Sequence, residues 1–179
     1  MTEQLAYVVN APRGATDRAL AGLAARLMAR GRVLAGVVQH NSDCVPGGRC
    51  DMDLQVLPDG PVIRISQSLG PGARGCRLDP AGLEQAVALV AARIEAAPAP
   101  DLLIVNKFGK HEAEGRGFRP LIAEALARDI PVLVGVNGLN EARFLAFAGG
   151  AARRLADTGP GFQAWFEAAA ARGGTEPAA

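Results

Sequence analysis

The chain reads as a three-layer α/β domain: a mainly parallel sheet of about four or five strands, helices on both faces, and an appended antiparallel hairpin at one edge. Three observations predict it. The runs at 102–105 (LLIV) and 131–137 (PVLVGVN) are apolar without alternation, as strands covered on both faces should be. Segments with apolar residues at helical spacing separate the strand-like runs. Residues 51–57 (DMDLQVL) and 62–67 (VIRISQ) do alternate, and Pro58-Asp59-Gly60 supplies the turn between them.

Each element follows in order. Residues 4–10 (QLAYVVN) form a first strand, and Ala11-Pro12-Arg13-Gly14 a turn, with Thr16 or Asp17 as a helix cap. From Arg18 to Arg30, Leu20, Leu23, Ala24, Leu27 and Met28 share one helical face, and Gly31 ends the helix. Residues 32–39 (RVLAGVVQ) are a second strand, reached by a parallel crossover. Residues 40–50 read as a loop before the hairpin, and 69–77 as a glycine-rich loop with two arginines. Asp79 caps a helix that has Pro80 at its first position and runs to about Ala97. After the strand at 102–105, a helix spans 118–128, the strand 131–137 follows, and a short helix reaches Phe147. A last helix occupies 161–171, and 173–179 read as a disordered tail, leaving one domain over 1–172.

Composition bounds the function. A length of 179 residues suits one domain with a real core, and 49% apolar with 21% charged residues is ordinary for a globular protein. Aromatics are only 4%, so the core is expected from Ala, Val, Leu and Ile. A formal charge of +1 gives no general attraction to nucleic acid or membrane. No run reaches the roughly 20 apolar residues of a membrane helix, and the N-terminus lacks a signal peptide's pattern. A cytoplasmic location is therefore expected, with Cys44, Cys50 and Cys76 as thiols, ligands or redox groups rather than structural disulfides.

The densest chemistry lies beyond the strand at 102–105, in Asn106-Lys107-Phe108-Gly109-Lys110-His111-Glu112. In an open α/β sheet, ligands sit beyond the carboxyl ends of the strands. Lys107 and Lys110 would face an oxyanion, and Glu112 would act as a general base or magnesium ligand. A solvated loop is the plain alternative. The first strand-to-helix loop occupies the place of a phosphate-binding loop, which needs glycines, a lysine and a hydroxyl. Here Gly14 and Thr16 remain, but Asp17 falls near the lysine's place, so ordinary ATP hydrolysis is hard to support. Helix-start amides with Arg13 and Arg18 can still hold a small anion. His40, Cys44 and Cys50 are spaced H-x₃-C-x₅-C, a weak metal pattern, with Cys50 as a buried filler the alternative. Cys76, between Arg74 and Arg77 before a helix start, has the setting of an acidified thiol or soft ligand; an anion site on the two arginines is the alternative, as is simple packing. No G-x-S-x-G elbow supports a serine hydrolase.

The run NKFGKHEAEGRG at 106–117, with GCRLDP at 75–80 before it and IPVLVGV at 130–136 after it, resembles the bacterial domain-of-unknown-function family 2478 over about residues 5–150. That family looks like a divergent relative of P-loop nucleoside-triphosphatases of the archaeal and human cancer-related type. Its members often stand beside molybdate-transport genes. The resemblance implies a P-loop-like fold and a role in molybdenum handling. It places Asp101 at a Walker-B-like strand, and Asn106 and Glu112 where relatives carry an acidic motif.

The leading expectation is a cytoplasmic oxyanion-binding protein for molybdate or tungstate. Arg13, Gly14, Thr16, Arg74, Cys76, Arg77, Asn106, Lys107 and Lys110 would form its site, and Cys76, His40, Cys44 and Cys50 any metal site. A nucleotide phosphohydrolase or transferase with a degenerate loop, using magnesium and Glu112, is the alternative; a non-catalytic regulatory or scaffold protein is a third. The expected partner is a small anion, with a homo-oligomer or a molybdenum-pathway protein left open; nucleic acid and membrane insertion are not expected.

Overall fold

A computed structural model describes residues 3–9, 14–42, 46, 50–68, 70, 77–156 and 159–173. Among the described residues, seven strands form one sheet: β1 (Leu5–Val8), β2 (Leu34–Ser42), β3 (Asp51–Val56), β4 (Val62–Arg64), β5 (Leu102–Phe108), β6 (Val132–Val136) and β7 (Ala152–Arg154), in the order β4-β3-β2-β5-β6-β1-β7. β2, β5, β6, β1 and β7 are parallel; β3 and β4 run antiparallel beyond β2. β1 and β2 are parallel as expected, but β6 and β5 lie between them.

The helices are α1 (Ala15–Ala29), α2 (Pro80–Glu95), α3 (Lys110–Ala113), α4 (Arg119–Ala127), α5 (Glu141–Ala148) and α6 (Gly159–Gly173). Strand side chains point alternately to the two faces. Leu103, Val105, Val132 and Val134 pack with Leu83 and Val90 of α2, Ile122 of α4 and Phe144 of α5. Leu102, Ile104 and Leu133 pack with Leu20, Leu23 and Leu27 of α1 and Trp165 and Phe166 of α6. The layers are thus helix, sheet, helix. Few as they are, the aromatics are not marginal to the core: Phe108, Phe118, Phe144, Phe162 and Phe166 are its largest fully buried side chains. Each ring removes a large apolar area from water.

Several elements differ from the sequence reading. β5 does not stop at Val105 but runs to Phe108, and Lys110–Ala113 form the short helix α3 where a loop was expected. β2 does not stop at Gln39; His40, Asn41 and Ser42 continue it opposite Asp53, Met52 and Asp51. Cross-strand pairing overrides the turn preference of those polar residues. β7 was not anticipated: it is three residues long and two are exposed arginines. Thr16 and Asp17 lie inside the first turn of α1, not at its cap, which is Gly14 at φ 77°. That left-handed conformation suits glycine, and the helix begins at Ala15, three residues before Arg18. Asp79 does cap α2, its carboxylate accepting the Ala81 N–H at 3.0 Å. Among the described residues, no helix is long and apolar enough to cross a membrane. The expected tail falls outside the description from residue 174 onward.

Candidate functional site

The site gathers where β2 and β5 end and α1 begins. β5 turns polar at Asn106 and Lys107, whose shared peptide is cis, and β2 at Gln39 and Asn41. Parallel strands deliver both ends to one side of the sheet, the side where ligands bind in open α/β folds. α1 contributes Asp17 from its first turn.

Asp17 is the hub. It is 5% exposed. Its Oδ1 accepts from Asn106 Nδ2 at 3.0 Å and lies 3.7 Å from Lys107 Nζ. Its Oδ2 accepts from Asn41 Nδ2 at 3.0 Å, and Asn41 Oδ1 in turn accepts from Gln39 Nε2 at 3.0 Å. A buried carboxylate needs such donors, because burial without them costs far more than the bonds return. Gly135 of β6 makes room: a Cβ there would lie 3.0 Å from Thr16 Cγ2 and 3.1 Å from Asn106 Oδ1. That Asn106 oxygen is buried and has no hydrogen-bond partner.

A cleft of about 370 Å³ opens over the hub, lined by Gly14, Asp17, Asn41, Cys50, Arg77 and Lys107 among others. Lys107 is partly exposed there. Arg77 donates to the Cys50 carbonyl at 3.0 Å and to Asp51 Oδ1 at 3.4 Å, which aims its guanidinium beside the cleft. Among the described residues, Gly14, Arg77 and Lys107 of the predicted anion ligands line this cleft; Thr16 and Asn106 do not, although Asn106 is bonded to Asp17. Lys110 stands apart, exposed at the start of α3, and lines a neighbouring pocket. Arg13, Arg74, Cys76 and Cys44 lie outside the described residues.

The metal expectation is not met by the described part of its set. His40 is exposed on β2 across from Asp53. Cys50 is disulfide-bonded, which corrects the expectation of a free thiol and removes it as a thiolate ligand. Among the described residues, no group of three or more His, Cys, Asp or Glu could hold a metal ion.

Glu112 is 3% exposed and turned into its own loop. Its Oε2 accepts the Gly109 N–H at 3.0 Å and its Oε1 the Phe118 N–H at 3.2 Å. Burial pushes its carboxyl above the ordinary carboxylate range, and the two backbone donors pull the other way. The carboxylate fixes the shape of 109–118. Both oxygens accept from backbone donors, and the residue lines the neighbouring pocket rather than the cleft.

The sequence reading missed Gln39 and Asn41. Their signal was a polar ending on an otherwise apolar strand, the same signal that drew attention to Asn106 and Lys107.

Comparison with known proteins gives three findings. The family described as "Protein of unknown function (DUF2478)" matches residues 5–165. A curated relative, "Molybdenum import ATP-binding protein ModC 2" of Bradyrhizobium diazoefficiens, is 36% identical over 171 residues, 94% of this chain. The chain spans only 19% of that relative's length. Among solved structures, the "Solution Structure of a Human Cancer-Related Nucleoside Triphosphatase" is similar with a TM-score of 0.55 and 19% identity, covering 84% of this chain and 86% of that one. At that identity the likeness is one of fold: the chain has a P-loop-nucleoside-triphosphatase-like architecture.

Proposed function

The chain belongs to the DUF2478 family, and from that premise we propose that it is a molybdenum-handling domain that binds a tetrahedral oxyanion, molybdate or tungstate, without hydrolysing nucleotide. The observation that carries this is Lys107: its ammonium reaches the cleft at the start of α1 from the end of β5, with Arg77 beside it. A cation at a helix start, next to amides that point outward, is the chemistry of an anion site. Asp17 orients the lysine through a 3.7 Å ion pair. The name of the curated relative supports the choice of molybdenum oxyanions over sulfate.

A second reading is binding of nucleotide phosphates, favoured by the fold and by the same relative's name. The residues present do not fit magnesium–triphosphate chemistry. A phosphate-binding loop uses a lysine on the terminal phosphates. Here the corresponding place holds Asp17, whose oxygens are already taken by Asn41, Asn106 and Lys107. No hydrolytic step is therefore assigned, and Glu112 acts by shaping its loop.

The test is calorimetric titration with molybdate, tungstate, sulfate, phosphate and ATP, the last with and without magnesium, on the chain and on Lys107→Ala. Molybdate and tungstate are expected to bind, sulfate weakly, and Lys107→Ala to weaken binding about tenfold or more, in line with loss of a charge-assisted hydrogen bond. Magnesium-dependent ATP binding with no response to molybdate would replace this reading with the second. No binding by any of them would leave a regulatory or scaffold role.

A further inference from the structure

A second cavity of about 190 Å³ adjoins the cleft and shares Gln39, Met52 and Lys107 with it. Its walls are Leu54 and Ile65 from the hairpin side, Leu78 and Leu83 at the start of α2, and Phe118 before α4. The pocket opens to solvent on one side rather than being an interior void, and its volume compares with the roughly 150 Å³ that is enough to hold benzene. Its polar edge carries the ammonium groups of Lys107 and Lys110, with His111, Asn106, Asn137 and the carboxyl of Glu112. Its back wall is held in place, because Glu112 ties the N–H groups of Gly109 and Phe118 together.

We infer that this cavity is the receptor for the organic part of a ligand whose anionic group lies at Lys107: a molecule with one ring-sized apolar body bearing a phosphate or similar oxyanion. Lys107 lines both compartments, so one molecule can place its anion in the cleft and its ring between Leu83 and Phe118. A bare tetrahedral ion leaves the apolar compartment empty. The inference rests on the oxyanion reading of the cleft and adds ring-bearing organic oxyanions to the bare molybdate or tungstate proposed there.

The test compares phenyl phosphate with inorganic phosphate and molybdate by calorimetry on the full chain. Phenyl phosphate is expected to bind at least about tenfold more tightly than phosphate, the gain from moving a ring out of water. In Leu83→Trp, which fills the cavity, that preference is expected to fall to near one; Leu78→Phe gives a milder version should the tryptophan variant unfold. Equal binding of phosphate and phenyl phosphate by the unaltered chain would overturn the inference and leave the oxyanion reading standing. A preference that survives the filled cavity would also overturn it. Failure of all three anions to bind would remove both.

Discussion

Two buried carboxylates stand near the carboxyl ends of the strands, and they are satisfied in opposite ways. Asp17 draws its donors from distant parts of the chain: Asn41 on β2 and Asn106 and Lys107 on β5. Glu112 draws its donors from its own loop, three and six residues away. The first network binds α1 to two strands and defines the floor of the cleft. The second fixes one loop and one wall of the neighbouring cavity. A long-range network reports that the tertiary fold is assembled; a local one reports only that its loop is closed.

The largest effect should come from breaking the long-range network. Asp17→Ala strands the buried Asn106 amide and takes a partner from Asn41 and Lys107, both of which solvent reaches, and is expected to cost about 3 kcal/mol of stability by urea denaturation. Glu112→Ala strands two backbone N–H groups and should cost about 2 kcal/mol. The two networks share no hydrogen-bond partner, so the double variant should be additive within about 0.5 kcal/mol. A larger interaction term would join what is separated here.

Protonation sharpens the contrast further. The folded chain holds the Glu112 proton more tightly than the unfolded chain does, since burial raises its pKa. This contribution is therefore greatest below the carboxylate's ordinary pKa. It declines as pH climbs through the raised value. Glu112→Gln should flatten that part of the stability–pH curve; an unchanged slope would assign the titration elsewhere. Asp53 works in the other direction, its pKa lowered first by the hydrogen bond from Arg64. Its contribution is lost as pH falls.

The smallest effect on stability should be that of Lys107→Ala. Its side chain is 36% exposed, and solvent screens such a pair to below about 1 kcal/mol. A large loss of stability would make Lys107 a structural residue first and a ligand second.

The same contrast explains what could be read from the sequence. Local patterns announced their elements: apolar runs for β5 and β6, helical spacing for α1 and α2, and Asp79-Pro80 for the start of α2. Lys107 and Asn106 stood out because polar residues end an apolar strand. The role of Asp17 was not legible, because its partners lie 24, 89 and 90 positions away. It read as a misplaced charge in a phosphate loop, when it is the anchor of a lysine arriving from another strand. Glu112 read as a candidate base or magnesium ligand; that its carboxylate accepts from the Gly109 and Phe118 N–H groups was not legible in the pattern. β7 was hidden by brevity: three residues become a strand only by lying against β1.

The two margins of the sheet carry one more consequence. β4 and β7 are each three residues long. One ends in Arg64, clasped by Asp51 and Asp53, and the other carries exposed Arg153 and Arg154. A neighbouring molecule seeking to add a strand at either margin meets a short ladder and a charge that must be dehydrated. A sheet whose middle is almost wholly hydrocarbon is thereby equipped against fibre growth at high concentration.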